Sequence, residues 1–235
     1  MVEYTSEQIV NFKFNHYVGN YHSTMAHYPA FYYFGSKCES IVEFGVDAGY
    51  SSWAWVACRP KYLRCVDIHK SGANDQQIDE LIEHAKAIGI DFEFVIADTG
   101  HGTLKNITLT RELKEPILID IEQPYYTLEQ DVDLLYIDTY HSYTHLKQEL
   151  SIHSAKVKKY ILMHDTDSFG LEHTFDGDKG LIFAIEEFLT ENPNWIMLHR
   201  VSYSYGLTVL ANTNNVDDTP NLDLGYQFPI INLPV

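Results

Sequence analysis

Three short runs in this 235-residue chain hold residue types at spacings that can do chemistry. The first is Ile41-Val42-Glu43-Phe44, an apolar strand carrying an acid, which runs straight into Gly45-Val46-Asp47-Ala48-Gly49-Tyr50-Ser51-Ser52. Gly45 lets the backbone turn sharply off the strand, and Gly49 lets it pass close to a ligand, because neither carries a Cβ. A helix beginning near Ser51 presents unpaired N–H groups beside that turn. The second run is Asp138-Thr139-Tyr140-His141 and the third is His164-Asp165-Thr166-Asp167, each following an apolar strand. Grouped carboxylates repel one another unless a proton or cation sits between them, and an imidazole beside them titrates near neutral pH. The expected chemistry is a nucleotide-sized ligand held next to an acid–imidazole centre.

The spacing narrows the ligand. A dinucleotide fingerprint needs G-x-G-x-x-G to seat a pyrophosphate on the helix N-terminus, and the place of its middle glycine is taken by Asp47. A carboxylate there repels a pyrophosphate but suits a cationic or zwitterionic ligand, such as the sulfonium and amino acid portion of S-adenosylmethionine. Asp67 closes Leu63-Arg64-Cys65-Val66 about twenty residues later, where its oxygens can accept both ribose hydroxyls. Asp98 ends a third strand on the same sheet edge. The expected cofactor-binding set is Glu43, Gly45, Val46, Asp47, Gly49, Tyr50, Ser51, Asp67, Ile68, Asp98 and Asp138. Each piece alone has a plainer reading, a turn with a packing glycine or an acid capping a turn. In register they describe a βαβ nucleoside site.

Ligands of open α/β sheets sit outside the carboxyl ends of the strands. Asp138, His164 and Asp165 are therefore expected within about a strand spacing or two of one another. A divalent metal on Asp138, Asp165 and His164 would relieve the repulsion, and mostly oxygen ligands favour Mg²⁺, Ca²⁺ or Mn²⁺ over Zn²⁺. His141, with Asp138 beside it, is then placed to act as general base on a substrate hydroxyl. His141 could instead cap the helix starting near Ser142, and His164 could simply bridge strand ends. His141 and His145 have the i, i+4 spacing of a zinc helix, but Ser142 stands where a metallopeptidase needs Glu. Asp167, Asp176 and Asp178 read as loop acids.

The elements that must position these groups follow from periodicity. Residues 5–33 read as two short aromatic helices, capped at Thr5 or Ser6 and stopped at Gly35. Strands are expected at 40–44, 62–66, 92–97, 133–137, 160–163, 195–201 and 206–210, with helices at 74–88, 143–157 and 179–190. The tight Tyr203-Ser204-Tyr205-Gly206 turn makes the last strand antiparallel, since parallel neighbours need a crossover. Residues 100–130 read as an insertion of unspecified form, with Ile117, Ile119 and Ile121 alternating between Pro116 and Pro124. The organisation expected is a helical segment at 1–36 packing on or over the site, one α/β domain at 37–212 and an extended tail at 213–235.

A hydrophobic content of 45% with 21% charged residues is that of an ordinary globular protein. The net charge of −17 argues against nucleic acid or an anionic membrane as partner. Cys38, Cys58 and Cys65 lack C-x-x-C spacing and are odd in number, so reduced buried thiols are expected. The first twelve residues carry no signal-type apolar run, and no stretch reaches membrane-spanning length, which sets a cytoplasmic location as the expectation. The 17 tyrosines supply stacking faces and hydroxyls suited to carbohydrates or aromatic small molecules.

The glycine run with Asp67, then Asp138-Thr139-Tyr140-His141-Ser142-Tyr143 and His164-Asp165-Thr166, resembles the class I S-adenosylmethionine methyltransferases. Within that superfamily it is most similar to the group containing the cephalosporin hydroxylase-like proteins and the macrolide sugar O-methyltransferases, over roughly residues 41–210. The resemblance implies a Rossmann-like α/β fold: a seven-stranded, mostly parallel sheet with an antiparallel last strand and helices on both faces. It also implies methyl transfer from S-adenosylmethionine, leaving S-adenosylhomocysteine, to a hydroxyl. It places Mg²⁺ on Asp138, Asp165 and position 164, where His164 replaces the carboxylate of many metal-dependent members, and the base on His141. The acceptor it implies is a small molecule or glycan, through the hydroxyl of a deoxysugar or glycan terminus. A catechol or phenol acceptor is the alternative, with Tyr140, Tyr143, Phe169, Tyr203 and Tyr205 lining the pocket in either case. A non-catalytic S-adenosylmethionine binder stands as a second alternative, while Asp47 and the missing third glycine disfavour an oxidoreductase. A homo-oligomer is compatible with each of these.

Overall fold

The computed structural model describes residues 4–18, 23–70, 75–104, 107–109, 117–119, 122–171, 178–216 and 232–234. Its strands are β1 (Ser40–Phe44), β2 (Tyr62–Asp67), β3 (Asp91–Ile96), β4 (Ile107–Leu109), β5 (Ile117–Ile119), β6 (Val132–Ile137), β7 (Val157–His164), β8 (Trp195–Val201) and β9 (Leu207–Asn212). Its helices are α1 (Ser6–Tyr17), α2 (Tyr28–Gly35), α3 (Tyr50–Ala57), α4 (Asp75–Ala87), α5 (Tyr143–His153) and α6 (Leu181–Glu191). A 3-10 turn, Ser23–His27, leads into α2.

Seven strands form one sheet in the order β3-β2-β1-β6-β7-β9-β8. The first five pair in parallel, and β9 runs antiparallel to both β7 and β8. The antiparallel end is dictated by its short connection, where Ser204, Tyr205 and Gly206 adopt φ of 46°, 69° and 95°, the left-handed geometry of a tight hairpin. The central parallel strands β1, β6 and β7 are buried on both faces, as crossover helices require, while the edge strand β3 leaves Asp91, Glu93 and Ile96 exposed. Along β6, Leu134 and Tyr136 join one core cluster with Phe31, Trp53 and Trp55, while Leu135 and Ile137 join the other with Leu146 and Phe188. The strand order reverses beside β1, and a crevice opens at its carboxyl end, as it does at such switch points.

Helix α5 stops at His153 rather than 157, because a 3-10 turn at Ser154–Lys156 hands the chain to Val157, which already pairs with Val132. In the 100–130 insertion, β4 and β5 form a separate antiparallel pair, and Asp98 bridges Tyr125; the expected alternation at Ile121 lies outside the described residues. Thr5 and Gln8 close a capping box on α1, and α1 packs on α3 and α4 while α2 packs on α3. Most of the expected C-terminal tail, residues 217–231, lies outside the described residues. Residues 232–234 rest on α1, where Asn15 exchanges hydrogen bonds of 2.6 and 2.7 Å with the Leu233 backbone. Among the described residues no helix is long and apolar enough to cross a membrane.

Candidate active site

The crevice is shaped by the turn off β1. Gly45 has φ +79°, and a Cβ there would lie 2.0 Å from the Asp138 carbonyl oxygen, so glycine is required both by conformation and by space. Asp47 adopts φ 45°, a conformation Asp tolerates better than most residues. Asp67, at the end of the neighbouring β2, pins this turn: its Oδ2 accepts from the N–H groups of Val46 at 2.7 Å and Asp47 at 3.1 Å. Its Oδ1 accepts from His69 N–H at 3.2 Å.

The cavity at the end of β1, about 410 Å³, is lined by Gly45, Val46, Asp47, Val66, Asp67, Ile68, His69, Ala97, Thr99, Leu104, Asp138, Thr139, Tyr140 and His145. An adjoining recess of about 230 Å³ shares Gly45, Val46, Asp47, Asp138 and Thr139 and adds Ser23, Thr24, Ala48, Tyr50, Ser51 and His141. The turn from 23 to 27 thus reaches the site, and among the described residues neither lining includes a lysine or arginine.

Glu43, Gly49 and Asp98, expected on the cofactor, line neither cavity. Glu43 is wholly buried and accepts from the Ser51 and Ser52 hydroxyls and the Cys65 thiol. It lies within β1, so its side chain leaves perpendicular to the sheet and meets the first turn of α3. Burial pushes its pKa up to about 7, with the three donors partly offsetting the shift. Gly49, φ +74°, starts α3, and a Cβ there would meet Ile78 at 2.8 Å. Asp98 is 1% exposed and spends its two oxygens on the N–H groups of Gly100, at 2.9 Å, and Gly102, at 2.5 Å.

The acid–imidazole centre assembles where the ends of β6 and β7 meet. His141 Nε2 lies 2.8 Å from Asp165 Oδ2 and 3.3 Å from Asp138 Oδ1, and its ring stacks on Phe169 at 4.7 Å. His164, 2% exposed, sits behind the same two acids, with Nδ1 3.4 Å from Asp138 Oδ1 and 3.3 Å from Asp165 Oδ1. Tyr136 donates its hydroxyl to Asp138 Oδ2 at 3.0 Å. The three donor atoms that converge within 4.8 Å of one another belong to Asp138, His141 and Asp165.

Burial works against the charge on His141, but the two carboxylates outweigh it and lift the ring to about 9. The same balance lifts His164 to about 10. Burial likewise opposes the charge on Asp138 and Asp165, and the imidazoles hold both below the usual carboxylate range. Two anions facing two cations leave the centre close to neutral in the free protein.

Among the aromatic residues expected around an acceptor, Phe169 touches His141, Tyr203 stacks on His27 at 5.0 Å, and Tyr205 and Tyr140 lie edge-on to His164 and His145. Tyr143 turns away to donate to Glu187 at 2.5 Å. Asp178 caps the N–H of Thr144 at 2.9 Å; Asp176 lies outside the described residues. Thr99 and Leu104 in the crevice, Ser23 and Thr24 in the recess, and Thr139 in both were not assigned to the site in sequence, and His145 was weighed there only as half of a zinc-helix spacing. Thr139 alone carried a local signal, its place directly after Asp138.

Neither a family model nor a curated protein matches the sequence. Solved structures do match. An O-methyltransferase from Bacillus cereus in complex with SAH is 11% identical with a TM-score of 0.52, covering 90% of this chain and 92% of that one. The O-methyltransferase TomG from Streptomyces achromogenes, involved in tomaymycin synthesis and in complex with SAM, is 11% identical at 0.50, covering 90% and 91%. A methyltransferase from Geobacter sulfurreducens is 10% identical at 0.50, covering 90% of each chain. At such identities the likeness shows the fold alone: a Rossmann-like α/β sheet of the kind those proteins have.

Proposed function

We propose that the chain is an S-adenosylmethionine-dependent O-methyltransferase that acts on a sugar hydroxyl, with His141 as the base. The observation that carries this reading is the crevice at the end of β1, with its glycine-only turn, the Asp67 carboxylate on the next strand end and, among the described residues, walls without lysine or arginine. A pyrophosphate would find no lysine or arginine among the described lining residues, whereas a sulfonium and an ammonium are balanced by Asp47, Asp67 and Asp138. The solved structures of this fold that hold SAM or SAH support the same cofactor. The small recess, walled by Ser23, Thr24, Tyr50, Ser51 and Thr139, suits a neutral, hydroxyl-bearing acceptor.

S-adenosylmethionine, when bound, supplies an electrophilic methyl group on a sulfonium. The chain's own work is alignment and proton removal. The glycine turn and Asp67 hold the crevice open, and Asp138 walls both cavities. Asp138 accepts the Nε2–H of His141, with Asp165 close to the same nitrogen, and that contact fixes the neutral tautomer with its lone pair on Nδ1. Nδ1 is the atom that takes the acceptor's hydroxyl proton, and the imidazolium so formed is stabilised by Asp138 and Asp165.

A second reading is favoured by the convergence of Asp138, His141 and Asp165. These donors fit a divalent cation, their mixed oxygen and nitrogen set suiting Mn²⁺ and its neighbours, and such an ion would lower the pKa of an acceptor hydroxyl. Ligation would occupy His141 Nε2, so the carboxylate–imidazole contact and the metal exclude each other.

Labelled methyl transfer to a panel of glycosides and catechols, with mass spectrometry of the products and with a chelator added in parallel, tests both readings. Methylated glycoside at a rate the chelator leaves unchanged is the expected result. A rate abolished by chelation and restored by Mn²⁺ or Mg²⁺ replaces the imidazole-only centre with the metal one. Methylation of catechols alone overturns the sugar assignment.

A further inference from the structure

At the end of the crevice away from His141, the fully buried carboxylate of Glu149 collects hydroxyls. Thr99 Oγ1 donates to its Oε1 at 2.5 Å and Thr139 Oγ1 donates to its Oε2 at 2.9 Å. His145, one helical turn earlier on α5, stands beside it with Nε2 3.2 Å from Oε1, off the hydrogen-bond line, and Nδ1 2.5 Å from Thr103 Oγ1. Gly100 makes room for this, since a Cβ there would lie 2.4 Å from both the His145 ring and the Thr103 hydroxyl. Burial disfavours the charge on Glu149, yet His145 and the two threonines bring its pKa below the ordinary carboxylate value, so it is ionised.

An ionised carboxylate only accepts, so the hydroxyl hydrogens of Thr99 and Thr139 are both committed to Glu149. What remains on each hydroxyl is oxygen lone pairs. Thr99, Thr139 and His145 line the crevice together with the apolar side chains of Val66, Ile68 and Leu104, a setting for a flat ring met at its edge by acceptors. The acid that follows β3 is directed elsewhere: Asp98 accepts from the Gly100 and Gly102 backbone and lines neither cavity.

We propose that Glu149, by turning both threonine hydroxyls toward itself, makes the site select a purine carrying an exocyclic amino group over one carrying a carbonyl at the same position. The inference rests on the S-adenosyl reading above and adds the residue that enforces it. Glu149 is a positioning residue: it acts on the base through Thr99 and Thr139. An amino group donates to the lone pairs left on these oxygens, while a carbonyl in its place opposes acceptor to acceptor and leaves buried polar groups unpaired.

The test is calorimetric titration of the wild-type protein, Glu149→Gln and Thr139→Val with S-adenosylhomocysteine and with its deaminated analogue, S-inosylhomocysteine. The wild type is expected to prefer the adenine ligand by about 10- to 100-fold. In Glu149→Gln the amide NH₂ forces one threonine to accept instead of donate, freeing its hydrogen for a carbonyl, and the preference should shrink by about fivefold or more. Thr139→Val, which keeps the side-chain volume and removes one acceptor, should narrow it too. The ratio of the two affinities is the readout, because a merely structural role for Glu149 would weaken both ligands alike. Equal wild-type affinities, or a wild-type ratio retained in Glu149→Gln, overturn the inference while leaving the cofactor reading standing. If Glu149→Gln fails to fold by circular dichroism, an unchanged ratio in Thr139→Val overturns it in the same way. Absence of binding by either ligand to the wild type removes the cofactor reading and this inference with it.

Discussion

His141→Asn lowers kcat by about 10²- to 10⁴-fold, the usual contribution of a positioned general base, and leaves affinity for S-adenosylhomocysteine unchanged. Asparagine keeps an N–H donor facing Asp138 and Asp165 and a planar face toward Phe169, while removing one of the two positive charges at the ends of β6 and β7. The wild-type pH profile carries the same information. With the ring raised to about 9, only about one molecule in a hundred holds a neutral His141 at pH 7. The direction follows directly: the imidazole is charged and inert below its pKa and becomes the base above it. On the imidazole reading kcat/KM therefore climbs with unit slope as pH rises toward about 9 and then levels, and the slope disappears in His141→Asn. A flat profile in the wild type, or a variant with undiminished kcat, removes the base from His141.

Gly45→Ala abolishes cofactor binding and lowers stability by about 3 kcal/mol or more, placing it in the strain-and-overlap class of substitutions. Two costs add. The backbone is left-handed at φ +79°, and the new methyl would sit 2.0 Å from the Asp138 carbonyl oxygen. The β1 and β6 ends must separate to admit it, and that separation moves Asp138 and His141 away from the turn. Gly89→Ala isolates the first cost, because Gly89 has φ +88° but nothing within 4 Å of a built Cβ. It should lose only about 1–2 kcal/mol and keep full binding. Thermal denaturation and calorimetry on both variants check the pair, and equal losses at the two positions would remove the special role of the β1 turn.

The sheet was legible because its signals are local. Buried apolar strands bounded by glycine and acidic turns, and a four-residue link too short for a crossover, define parallel strands followed by an antiparallel return. The turn at Gly45 and the acid at Asp67 were legible for the same reason, each standing at the end of its strand. Glu43 was misplaced because an acid one residue inside a strand points across the sheet rather than off its edge, and only the Ser51 and Ser52 hydroxyls show what it meets there. Asp98 had a readable warning in the sequence Asp98-Thr99-Gly100-His101-Gly102, where an aspartate before spaced glycines bonds its own following backbone. Glu149 had none: its partners come from residues 99 and 139, on two different strand ends. That three-part contact exists only once the sheet has formed.

On the proposed reading, the crevice between the β1 turn and the ends of β6 and β7 takes an S-adenosyl ligand and excludes a dinucleotide. Equilibrium titration of the purified chain with S-adenosylhomocysteine and, separately, with NAD⁺ tests it most directly. Saturable one-to-one binding of S-adenosylhomocysteine, with no heat from NAD⁺, is the predicted result; binding of NAD⁺ with none of S-adenosylhomocysteine would contradict it.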